Sequence, residues 1–211
     1  MTQNESTYPV NLTVDYPDRE LNRLSTFFRA FAIIPIGVVL VLLAGPLLGD
    51  RSGSGWPWVL AALGLTSVPA CLMLLFRRKY PRWWFDWNVN LTAFTLRVLV
   101  YARLLRDEYP STDEEQAVHL SVPYPDAGHD LDRWLPLVKW LLSLPHTIVL
   151  AFLDVAAVFC VLIAWFAILF TGRYPRGLFD FVTGVLRWHV RVLAYAFMLV
   201  TDRYPPFSLE P

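Results

Sequence analysis

Ionisable side chains inside apolar runs are the first place to look for chemistry, and two stand out here, His146 and Asp154. An imidazole in such a run can relay protons or, when neutral, ligate a metal. A carboxylate set between Leu153 and Val155 is by default a functional group, its bland alternative being a residue that ends a helix at the membrane interface. Neither has co-ligands nearby. His119, His129 and His189 are scattered without i, i+4 pairing, Cys partners or an H-E-x-x-H pattern, so no metal or other cofactor is expected. Cys71 and Cys160 lie in apolar runs, where a thiol behaves as a small hydrophobe. The acids from Asp107 to Gln116 form a polar connector, read as a solvated linker. A phosphate-binding glycine loop, a nucleophile elbow and a paired-carboxylate cluster are all missing from the sequence, which points away from an enzyme.

A second set of charges repeats at helical spacing. Asp180, Gly184, Arg187, Arg191 and Tyr195 fall on one stripe at steps of three and four, and Asp86, Asn90, Ala93, Arg97 and Tyr101 do the same earlier in the chain. Asp86, Arg97, Tyr101, Asp180, Arg187, Arg191 and Tyr195 are therefore candidate structural or headgroup-contacting residues. Along one helix Asp86 and Arg97 are about 16 Å apart and cannot pair. Reciprocal pairs, Asp86 with Arg191 and Asp180 with Arg97, are expected instead, the alternative being phosphates and water. Crossing a bilayer would submerge Arg187, His189 and Arg191 at roughly 2.5 to 3.5 kcal/mol for each central Arg. Leu178 to Val200 should thus lie in the interface, with Phe179, Val182, Leu186, Leu193 and Phe197 on a helix bedded in headgroups and packed on its neighbours. Trp83, Trp84, Trp87 and Trp188 suit the same depth.

The rest of the chain must position these groups. Hydrophobic residues make up 55% of it, well above soluble proteins, while 18 basic and 18 acidic side chains cancel and give no sign of nucleic-acid binding. Four stretches are apolar enough to cross a membrane: Leu24 to Leu48, Pro57 to Phe76, Trp134 to Leu153 and Val155 to Phe170. The first two are joined by the turn-rich Gly49 to Gly55 and read as a hairpin. In the second block only Asp154 marks a turn, and two short crossings are expected there. Arg19, Arg23, Arg29, Arg77, Arg78, Lys79, Arg82, Arg133, Lys139, Arg173 and Arg176 flank one side of these segments and Arg51 alone the other, so both termini should be cytoplasmic. The polar Met1 to Tyr8 lacks the pattern of a cleavable signal. Val10 to Val14 and Val118 to Val122 alternate as half-buried strands and are expected to pair, supported by helices or by the tail Phe207-Ser208-Leu209.

The chain also resembles itself. Arg77 to Trp87 aligns with Thr171 to Phe181, both running through Tyr-Pro-Arg, and the match continues to Tyr101-Ala102 against Tyr195-Ala196. Both copies stop at a Tyr-Pro, Tyr109-Pro110 and Tyr204-Pro205. The stretch Trp165 to Phe181, with the ending Thr201 to Leu209, resembles the bacterial membrane proteins grouped as domain of unknown function 4389. The first copy departs from that motif, with Arg77-Arg78-Lys79 in place of Thr-Gly-Arg. The resemblance implies no catalytic residue and no substrate. The expected fold is a mainly α integral membrane protein of two pseudo-repeats, residues 1–110 and 111–211. Each repeat is a transmembrane helical hairpin plus an interfacial amphipathic helix, with a short cytoplasmic β-ribbon between the two. The expected role is a multi-pass cell-membrane scaffold or accessory protein that touches lipids and docks a protein partner. The alternative is lipid or small-solute binding or transport between the hairpins.

Overall fold

The computed structural model describes residues 8–44, 57–112, 114 and 116–210. The Gly49 to Gly55 loop with Arg51, the segment before Tyr8, and Asp113, Glu115 and Pro211 lie outside the described residues. In chain order the elements are β1 (Asn11–Val14), α1 (Arg23–Ala44), α2 (Pro57–Arg77), α3 (Arg82–Ala102), β2 (Val118–Ser121), α4 (Pro136–Leu142), α5 (Leu144–Thr171) and α6 (Arg176–Ala196).

The two strands pair antiparallel, with Leu12 opposite Leu120 and Val14 opposite Val118. Their alternation puts Leu12 and Val118 inward and Thr13 and His119 outward. A two-stranded ribbon is marginal alone, and here β1 packs on α6 while β2 packs on α3. Both supporting helices begin after a proline, Pro81 and Pro175, held extended at φ −64° and −60°. A residue without an N–H is cheap there, because a helix start leaves its first donors unused anyway. Shortly beyond each helix end the chain turns through a residue at positive φ, Leu104 at 64° and Leu199 at 58°. Burial of Leu104 and Leu199 in the core holds that strained turn.

Two apolar helices carry one buried and one exposed face along their length. On α1 the buried positions are Thr26, Arg29 and Ile36. On α5 they are His146, Leu150, Ala157, Ala164 and Ile168. The stretch Arg23–Leu40 of α1 and the whole of α5 are long and apolar enough to cross a membrane.

The second apolar block corrects one expectation. No turn occurs at Asp154, because α5 runs unbroken from Leu144 to Thr171 and the carboxylate is paired rather than left to end a helix. The break falls at Ser143, just before Pro145, whose missing N–H is tolerated only in a first helical turn. Termination waits for Gly172 at φ 75°, whose N–H returns to Ile168 O at 2.8 Å.

A second correction concerns α6. Phe179, Val182 and Leu186 are buried in the protein core, and Trp188 packs with Leu150 and Val192, so this face is not bedded in headgroups. The helix is sandwiched: α5 covers one side, and the ribbon and the C-terminal tail cover the other.

Gly184 marks how tightly the tail lies on α6, since a Cβ there would meet both Leu209 Cβ and Leu209 O at 2.9 Å. Gly184→Ala should cost about 1 to 3 kcal/mol by overpacking and expose the tail to limited proteolysis. Gly177→Ala, where a Cβ meets open space, should do neither.

Candidate functional site

The arginines of the α6 stripe are spent on backbone carbonyls. Arg187 Nε donates to Leu12 O at 3.0 Å and its NH1 to Leu209 O at 2.9 Å. Arg191 NH1 donates to Ser208 O at 3.2 Å and its NH2 to Glu210 O at 2.5 Å. Tyr8 closes the arrangement by donating from its hydroxyl to Arg191 O at 3.4 Å. In α3, Arg97 NH1 donates to Ser111 O at 2.9 Å. Extended segments outside any ladder leave carbonyls in need of donors, and a guanidinium carries five. Burial pulls the Arg187 and Arg191 guanidinium groups below their ordinary range, yet both stay charged.

The expected reciprocal pairs are not formed. Asp86 is exposed, 4.0 Å from Arg82 on its own helix, and Asp180 is exposed as well, while Arg97 and Arg191 are buried against the carbonyls just named. Carbonyls within reach on the same side of the molecule outcompeted carboxylates on a surface open to water.

Tyr101 and Tyr195 belong to two cation stations. The Arg29 guanidinium pairs with Asp107, donates to Arg106 O at 2.9 Å and sits 4.5 Å over the Tyr101 ring. Lys139 Nζ pairs with Asp202 at 2.6 Å, donates to Thr201 O at 2.8 Å and sits 5.1 Å from the Tyr195 ring. Arg29 and Lys139 come from apolar helices and are 3% and 0% exposed, so each acid neutralises a charge that could not be buried alone. Sequence reading passed over both acids and placed Asp107 in a solvated linker. The available signal was their shared place two residues before the closing Tyr-Pro, Asp107 before Tyr109 and Asp202 before Tyr204.

The two candidate residues of α5, His146 and Asp154, are also committed. His146 accepts from Trp188 Nε1 at 3.1 Å through Nδ1, which puts its own proton on Nε2, and its ring stacks on Phe207 at 3.9 Å. Asp154 pairs with Arg103 at 3.2 Å and with His189 at 3.1 Å. No cluster of three or more His, Cys, Asp or Glu able to hold a metal occurs among the described residues.

Two clefts open beside residues 17–21. A cleft of roughly 400 Å³ is lined by Tyr16, Asp18, Arg19, Glu20, Arg173 and Arg176, and a second of roughly 320 Å³ by Asp18, Arg19, Arg106, Asp107 and Glu108. Tyr16 closes the floor of the first, its hydroxyl donating to Tyr174 O at 2.5 Å.

Residues 134–208 match the family model described as Domain of unknown function (DUF4389). The match is to a single copy and takes in α4, α5, α6 and the tail through Ser208, a stretch that holds the Lys139 station, the His146 cluster and the Arg191 contact to Ser208 O. No curated protein and no solved structure matches the chain.

Two outcomes follow from this geometry. Asp202→Asn leaves the Lys139 ammonium without its counter-charge and should destabilise the fold by about 3 kcal/mol, the low end for a broken buried pair since Asp202 is partly exposed. Thermal unfolding in detergent reads this, and Lys139→Met with Asp202→Asn should recover most of the loss.

Burial pushes the Tyr8, Tyr80 and Tyr174 phenols up. A phenol raised in the fold stabilises it fully below the unfolded value near 10 and loses that contribution as pH climbs further. Stability should therefore fall above about pH 10, with these phenols ionising only as the fold opens. Tyrosinate absorbance against pH checks this, and Tyr80→Phe should weaken the fall.

Proposed function

We propose that the chain is a membrane scaffold that presents its ribbon-and-tail layer to a protein partner at the cytoplasmic face. The observation that carries the membrane part is the division of the surface. One side holds the ribbon, the tail and the charged clefts, while α1 and α5 turn Phe27, Phe31, Phe152, Phe159 and Phe170 outward, each more than half exposed. Apolar patches on that scale mark a buried interface or a lipid contact. Arg173 and Arg176 are exposed just after α5, Arg82 just after α2 and Arg133 just before α4, and exposed cations at the ends of apolar helices favour the cytoplasmic leaflet.

The two halves, divided near residue 110, are copies of one unit, and the support for this is reciprocal contact. Tyr16 donates to Tyr174 O, and Tyr124, at the matching place, donates to Tyr80 O. β1 packs on α6 and β2 on α3, while α1 packs on α5 and α4 on α2. The α1–α2 pair makes the hairpin that crosses, since Leu21 N–H donates to Gly172 O at one end and Leu75 O accepts from Arg133 at the other, both on the polar layer.

Partner docking rests on the clefts, where acid and base alternate on an open surface while the buried cations are taken up by the chain's own oxygens. Carbonate-washed membranes should retain the protein, and a photo-crosslinking residue at Glu20 should capture a protein that one at Trp83 does not. Arg173→Glu should abolish the adduct. Release by carbonate would remove the membrane reading, and retention with no adduct from Glu20 would remove the partner.

A further inference from the structure

The block from Trp134 to Thr171 begins and ends on the same polar layer. At its start, Asp132 N–H donates to Asp202 at 2.5 Å, Lys139 pairs with Asp202, and Tyr204 donates to Leu142 O at 3.1 Å. At its finish, Gly172 O accepts from Leu21 N–H at 2.8 Å and Tyr174 O accepts from Tyr16. In between, its first half stays on that layer, since His146 stacks on Phe207 of the tail and Asp154 pairs with Arg103 just after α3, and its second half packs on α1, with Trp165 Nε1 donating to Thr26 O at 3.3 Å.

A single crossing puts the two ends of a segment on opposite sides of the membrane, and two crossings need a reversal. α5 has no reversal in its 28 residues, about 42 Å of helix, and α4 supplies only 7 residues, about 10 Å, on which to descend. From these constraints we infer that α4 and α5 do not cross the bilayer, but lie along it, with the outward face of α5 bedded in the acyl chains of one leaflet. This rests on the membrane reading proposed above and assigns the crossing hairpin to α1 and α2.

The faces of α5 agree. Its buried positions recur at steps of four and seven from His146 to Ile168 and stay on one side of the helix. Ile148, Phe152, Phe159, Ile163, Phe166 and Phe170 keep to the opposite side and are each more than half exposed. Asp154 sits on the buried side, so an in-plane helix never brings its carboxylate among lipid tails, whereas a crossing one would sink the Asp154, Arg103 and His189 group well below the headgroups. Charge complements the apolar face at both ends: exposed Arg133 precedes α4, and exposed Arg173 and Arg176 follow α5. A helix lying in an anionic leaflet meets phosphates at both ends.

Spin labels placed one at a time at Ile148, Phe152, Phe159, Phe166 and Phe170 test this in the full chain, with Cys71→Ala and Cys160→Ala, in vesicles of phosphatidylcholine and phosphatidylglycerol. Depth is read from the ratio of oxygen to nickel-chelate relaxation. The five labels should report one shallow depth, about 5 to 10 Å into the headgroup and acyl boundary, although they span about 33 Å of helix. Each variant must keep the protease resistance of its tail, and the outward-facing positions allow that. A depth that changes steadily by about 1.5 Å per residue through a mid-helix maximum would overturn the inference while leaving the membrane reading intact. Labels with no oxygen enrichment at any position would overturn both.

Discussion

The fold depends on two guanidinium groups, Arg191 buried and Arg187 half-buried, held between a helix, the edge strand β1 and the C-terminal tail. Arg187 and Arg191 reach from α6 to carbonyls of Leu12, Ser208, Leu209 and Glu210, and so bind the first strand and the last residues to one helix. Their charge cannot enter lipid at small cost, and their donors satisfy carbonyls of the edge strand and of the tail. The helix that carries them is therefore held against a polar layer on one side. Its opposite side is left to meet apolar helices.

That constraint orders the remaining charges. Arg29 and Lys139 come from the apolar side and reach back to Asp107 and Asp202, which stand just after α3 and α6. Asp154 does the same from the middle of α5. In each case a charge within an apolar element turns inward to the polar layer, and the exposed Arg23 lies at the very start of α1. The molecule thus has one charged side and one apolar side, and two clefts open on the charged side beside residues 17–21.

Much of this was legible in the residues. The alternation of Asn11 to Val14 and Val118 to Ser121 announced strands that pair, and the i, i+3, i+4 stripe of α6 announced a helix with two different faces. Less legible was what each face met. A stripe with two arginines reads equally as a headgroup face or as a clamp on backbone, because the acceptors are carbonyls, which every residue carries. The break in the second apolar block was misplaced for a related reason. Asp154 looks like a helix end only if its carboxylate has no partner, and its partners, Arg103 and His189, lie 51 and 35 residues away. Pro145, at the true break, was in plain view but is compatible with either a kink or a start.

Stacking of polar layer, α6 and α5 is the central claim, and it fixes the direction of two helices relative to the membrane. Oriented-sample nitrogen NMR of the full chain in aligned bilayers, with label at Ala164 of α5 and Ala194 of α6, reads both directions at once. The account predicts that both helix axes lie close to the membrane plane. An α5 axis aligned with the bilayer normal would contradict it.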